Sequence, residues 1–252
     1  MTETPTPDIP ITDVPGTGEG DEPDELTPTR FAMERGLLVL GDRTELVLVR
    51  HAQQRRSLAE AYAPGGPRLS EFGRRQATMT GRLLAPESGP PVTAVYCSDL
   101  NRTRETAQLI CTELGGQLEP TPDAALREID MYSRDLGGAD VSAAVQAKAG
   151  TEFSRTLRWD AFPNTEASEA FRLRVKGALE RIALKHTNEK VVVVSHAGAI
   201  CAAVAAMIGA EPDMFFFAGH ASVSRVFHGD DRLVTHSLNE VAHLRAEGAL
   251  SF

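Results

Sequence analysis

Two short apolar runs, LVLVRH ending at His51 and VVVVSH ending at His196, constrain the fold more than any other feature of the chain. Each lacks the polar alternation of a half-exposed strand, so each reads as a strand buried on both faces. Such strands belong to parallel sheets covered by helices on either side. The intervening sequence agrees. Thr44 to His51 is followed by a helical segment, Leu69 to Ala85, with Ser70 placed to cap it and Phe72, Met79, Leu83 and Leu84 at helical spacing. Val92 to Ser98 reads as a strand, Leu100 to Leu114 as a helix stopped by Gly115 and Gly116, and Gln117 to Pro120 as a short edge strand. Glu166 to His186 is a long amphipathic helix, Lys190 to Gly198 a central strand, and Ala199 to Gly209 a buried helix. Ser222 to Gly229 and Arg232 to Leu238 form a hairpin turning at Gly229-Asp230-Asp231. The predicted class is α/β, a three-layer sandwich with a mostly parallel central sheet and helices on both faces.

Charge divides the chain of 252 residues, whose formal net charge is −9. Residues 1–30 hold eight acidic side chains against Arg30, with six prolines and three glycines, and read as an acidic tail that buries too little to fold. Residues 31–43 carry Phe31, Met33 and the run Leu37 to Leu40, and are expected to add a turn or strand to the body at 44–252. A near-neutral body behind an acidic tail argues against nucleic acid and anionic membranes, which call for a basic face. Cys97, Cys111 and Cys201 are too few for a disulfide framework and have no metal-ligand spacing; no secretion signal opens the sequence and no run is long enough to cross a membrane. A cytoplasmic protein without a metal is expected.

The residues just past the carboxyl ends of parallel strands line the ligand crevice of an open α/β sheet. Adjacent strands would therefore bring His51 and His196 to one site, whereas His186, His220, His228, His236 and His243 read as core or surface residues. Arg50 precedes His51, and Arg102 and Arg104 open the helix after the second strand, where a planar guanidinium and helix amides suit a phosphoryl group. The pattern does not choose between those two arginines. Nor does it choose the proton donor that ester cleavage needs among Asp99, Glu105, Glu128 and Asp130. The weakly periodic stretch from Ile129 to Asn164, helical at most over Val141 to Ala149, contains Tyr132, Arg134, Arg155, Arg158 and Trp159, which serve either substrate recognition or an ordinary loop.

In register, VLVRHAQQ, LSEFGRRQA, YCSDLNRTRETA, LREID and VVVVSHAG resemble the histidine phosphatase superfamily over about residues 44–240. The resemblance implies a phosphoglycerate mutase-like fold and a phosphomonoester hydrolase acting on a small phosphorylated metabolite, without a cofactor. It gives His51 the nucleophile's role, His196 that of the second catalytic histidine, Arg50 and Arg102 phosphate binding, and Glu128 proton donation, and it demotes Arg104. Gln54, Ser57 and the Ala197 amide become candidate substrate contacts. Gln54 and Ser57 depart from the family's Thr or Ser and Asn. Ala52 replaces a glycine and would crowd a backbone that needs positive φ. Glu128 lacks the family's glycine-rich, Trp-containing sequel. Two alternatives stand beside hydrolysis: a phosphoglycerate mutase, which must exclude water, and a catalytically weakened binding or oligomerisation module. Homodimers are common in the family.

Overall fold

The computed structural model describes residues 43–57, 63–85, 90–131 and 142–252. The expected tail, the extension up to residue 42, and Tyr132 and Arg134 lie outside these. The elements are β1 (Thr44–Arg50), α1 (Glu71–Leu84), β2 (Val92–Cys97), α2 (Asn101–Glu113), β3 (Thr121–Pro122), α3 (Ala143–Thr156), α4 (Ser168–Lys185), β4 (Lys190–Ser195), α5 (Ala197–Ile208), β5 (Val223–Gly229), β6 (Arg232–Glu240) and α6 (Ala242–Arg245).

The six strands form one sheet in the order β3-β2-β4-β1-β5-β6. Pairing is parallel from β3 through β1, and β5 and β6 add an antiparallel edge. Alternation along the central strands builds two cores. Leu46, Leu48, Val191 and Val193 pack with Phe171, Val175 and Leu179 of α4 and with Ile200 and Val204 of α5. Val47, Val49, Val192 and Val194 point the other way, onto Ala107, Ile110 and Cys111 of α2 and Leu84 of α1. The expected three layers result.

Local signals explain most boundaries. Gly73 N donates to Ser70 Oγ at 3.0 Å, which fixes the start of α1. Gly115 and Gly116 follow α2 with φ of 98° and 70°. The β5–β6 loop is Asp230–Asp231, with φ of 49° and 57°, the geometry of a tight hairpin turn whose twist matches its strands. Three expectations need correction. The edge strand is Thr121–Pro122 and not 117–120, because two exposed residues pairing with Tyr96 and Cys97 carry no apolar pattern. The helix expected over 141–149 runs to Thr156 and buries only Ala149, so it has no apolar stripe to read. The buried helix α5 begins at Ala197, directly after His196.

Candidate active site

β1 and β4 lie side by side with Arg50 opposite Ser195, and His51 N donates to Ser195 O at 2.8 Å. Both strands therefore deliver their next residue to the same point, and the rings of His51 and His196 stand 5.2 Å apart between centroids. Arg102 joins them from the first turn of α2, its Nη2 donating to His196 Nδ1 at 3.2 Å. Arg104 is exposed on the same helix, which separates the two arginines that the sequence pattern left level.

The hydrogen bonds fix the ring tautomers. A carbonyl only accepts, so His51 Nδ1 carries a proton and donates to Ala52 O at 2.9 Å, leaving Nε2 with its lone pair. A guanidinium only donates, so His196 Nδ1 accepts from Arg102 and its Nε2 donates to Ser98 Oγ at 3.1 Å. Burial, followed by the neighbouring charge, holds both rings well below the ordinary histidine range. At neutral pH His51 thus presents an uncharged imidazole with the Nε2 lone pair free.

Positive charge is supplied by the arginines. Arg50 Nη1 donates to Ala218 O at 2.6 Å, while burial lowers its pKa to about 10 and likewise lowers that of Arg102. The Nε atoms of both are buried without a hydrogen-bond partner. A buried guanidinium N–H left unpaired is costly, and an anion between the two arginines is the natural partner.

Glu128 is the acid that reaches this point. The short turn Ala124–Leu126 buries Leu126, and Ser195 Oγ donates to Leu126 O at 2.8 Å, tying the turn to the end of β4. Arg174 of α4 donates to the carbonyls of Ala125 and Arg127. The carboxylate then accepts from Gly198 N at 3.0 Å and from Ile129 N at 3.1 Å, and burial raises its pKa above the ordinary glutamate value. The other three carboxyls are elsewhere engaged or exposed. Asp99 pairs with Arg127, which lowers its pKa; Glu105 pairs with Arg74 and accepts from Leu69 N; Asp130 is exposed on the wall of a cleft. That cleft, of about 1000 Å³, opens from Arg102 and Glu128 towards Ile129, Asp130, Glu166 and Arg174.

The remaining expectations divide. Ala52 is buried, has no positive φ, and donates its amide to Thr106 Oγ1 at 3.1 Å, so the methyl group that was expected to crowd the backbone is accommodated. Gln54 forms a bridge with Leu69 and buries Oε1 without a partner, and Ser57 is exposed further along the loop. Ala197 heads α5, where first-turn amides have no partner within the helix. Arg155 pairs with Glu152, and Arg158 with Asp160. Among the described candidates of the insertion, Trp159 reaches the site, with its ring edge beside Gly198 and Glu128. His220, read from sequence as a core or surface residue, is buried as a core residue is and also borders the site: its ring lies 5.7 Å from that of His51 and bonds Arg50. Its place at a loop end before β5, without periodic neighbours, gave no signal.

A family model for the histidine phosphatase superfamily (branch 1) matches residues 46–241. The chain belongs to this superfamily. Among its relatives, "Phosphoglycerate mutase-like protein 4" of Arabidopsis thaliana is 32% identical over 83% of this chain and 90% of its own length. "Phosphoserine phosphatase 1" of Hydrogenobacter thermophilus is 31% identical over 79% and 94% respectively. The histidine phosphatase fold is also that of a Bacillus anthracis phosphoglycerate mutase structure, with a TM-score of 0.65 at 20% identity, covering 81% of this chain and 96% of that one. Among the described residues of this superfamily member, no helix is long and apolar enough to cross a membrane. No group of three or more His, Cys, Asp and Glu among them is placed to hold a metal ion.

Proposed function

We propose that the protein is a phosphomonoester hydrolase that works through a phosphohistidine on His51. The observation that carries this reading is the neutral His51 Nε2, freed by the Nδ1 bond to Ala52 O, beside two arginines whose buried Nε–H groups lack partners. The phosphoryl group sits between Arg50 and Arg102, whose guanidiniums hold its equatorial oxygens against the His196 ring; His196 adds a donor of its own once Arg102 turns to the phosphate and the proton moves to Nδ1, and the Ala197 amide adds another. The His51 Nε2 lone pair forms the N–P bond as the ester P–O bond breaks, and Glu128 gives its proton to the leaving oxygen. A water then passes a proton back to the Glu128 carboxylate and attacks phosphorus. The N–P bond breaks, inorganic phosphate leaves and His51 is restored. Gln54 and Ser57, on the loop after His51, are the candidate contacts for the leaving group, and the cleft wall is the other side available to it.

Hydrolysis is favoured over phosphoryl retention because Gln54 and Ser57 depart from the family's first-loop residues, and a relative is named as a phosphoserine phosphatase. Phosphoserine and phosphoglycerates are the first esters to test, beside p-nitrophenyl phosphate, in chelator-treated buffer. Hydrolysis by the wild type, lost in His51→Ala and largely kept in Arg104→Ala, is the expected result. Isomerisation of phosphoglycerate without phosphate release supports the mutase instead. A folded protein inert towards every ester supports the binding module.

A further inference from the structure

Resting on the phosphatase reading, we infer that His220 is a positioning residue: an uncharged acceptor that aims the Arg50 guanidinium at the phosphoryl site and is itself held by Ser251 and Gln76. Arg50 Nη2 donates to His220 Nε2 at 3.0 Å, so the proton of the neutral ring lies on Nδ1, which faces Ser251 Oγ at 3.1 Å. Ser251 Oγ also accepts from Gln76 Nε2 at 3.0 Å, and Gln76 Oε1 accepts from Gln53 N at 3.0 Å. The backbone reinforces this arrangement, because His220 N donates to Ser251 O at 3.0 Å and Gln76 Nε2 to Ala249 O at 2.7 Å.

The bonds close a ring. It leaves the chain at Arg50, passes through His220, Ser251 and Gln76 of α1, and returns at Gln53, on the far side of His51. His220 and Gln76 are buried, while Ser251 and Gln53 are half-buried. Its effect on Arg50 is directional. With Nη1 on Ala218 O, Nη2 on His220 and the guanidinium over the Phe217 ring at 5.2 Å, one edge is fully engaged and Nε is left without a partner. A protonated His220 could not accept this bond and would set a second cation against Arg50. Burial together with Arg50 and Arg56 keeps its pKa at about 3. The neutral form is thus maintained through the range in which phosphatases work.

The test combines three variants with a spectroscopic readout. In wild-type protein the ¹⁵N shifts of His220 should show a protonated Nδ1 and a bare Nε2 at pH 7, with no titration above about pH 4. His220→Leu should weaken inorganic phosphate binding, measured calorimetrically, and raise KM, each by about 10- to 100-fold. His220→Gln, whose amide oxygen can accept from Arg50, should stay within about threefold of wild type. Ser251→Ala, a gentler change, should fall between them. Melting temperatures of the variants, all taken without phosphate, show whether each is folded. Equal losses in the Leu and Gln variants, or a His220 ring that titrates near pH 6.5, overturn the assignment. A wild type that binds phosphate but hydrolyses no ester removes the hydrolytic reading while leaving His220 to be decided by phosphate affinity and ring shifts.

Discussion

Gly198→Ala displaces Glu128, the proposed proton donor, without replacing it. A β-carbon at Gly198 would overlap Glu128 Oε1 and stand 3.0 Å from Glu128 Cδ and 3.2 Å from Trp159 Cζ2. The oxygen has to retreat by about 1 Å to reach ordinary van der Waals distance, and the bond from Gly198 N to Oε2 is stretched as it does so. A misplacement of about 1 Å in a reacting group costs on the order of 100-fold, within the roughly 10²- to 10⁴-fold that general acid catalysis supplies. The assay compares the first turnover on p-nitrophenyl phosphate, whose leaving group needs little protonation, with that on an alkyl phosphate, whose leaving group needs it fully. The variant should lose about 100-fold on the alkyl ester and less than about tenfold on the aryl ester, with phosphate affinity unchanged. Equal losses on the two esters would refute the assignment of Glu128 as acid.

Because burial raises the Glu128 pKa, folding stability is lost as pH climbs from the unfolded value of 4.5 through the folded one, at up to about 1.4 kcal/mol per pH unit. Glu128→Gln should therefore gain on wild type in urea unfolding between pH 4 and 8, and a gap independent of pH counts against the buried acid. Inorganic phosphate at about 100 times its Kd should add about 2.7 kcal/mol to wild-type stability and nearly nothing to Arg102→Ala, as measured by thermal unfolding. Asp213 is buried, accepting from Arg172 Nε at 2.6 Å, Ser168 Oγ at 2.6 Å and Trp159 N at 2.8 Å. Asp213→Ala strands the Arg172 charge and should cost about 3 to 5 kcal/mol in denaturant unfolding; a loss below about 1 kcal/mol would show that water solvates the arginine.

The two histidines were legible because a buried parallel strand is written as an unbroken apolar run and its final residue necessarily falls at the crevice. The motif blocks chose Arg102 over Arg104, and the structure gives the reason in the bond to His196. Other features depend on contacts between distant segments. Apart from the LREID block, no residue pattern separates Glu128 from Asp99; the physical difference appears only when Gly198 N and the end of β4 enclose one carboxyl and Arg127 takes the other. His220 and Ser251 are 31 residues apart and meet through a side-chain bond that no periodicity encodes. α3 escaped for the opposite reason, since a helix that buries one alanine has almost no hydrophobic pattern.

The ladder between β1 and β4 also sets how this protein would lose activity. The amide of His51 is itself hydrogen-bonded to Ser195 O, so the proposed nucleophile is anchored in the centre of the sheet and not in a detachable loop. Opening that amide requires parting the two central strands, which coincides with loss of both cores. Hydrogen exchange at His51 should accordingly match the slowest amides of the molecule, and heat inactivation should follow the global unfolding rate with no earlier phase.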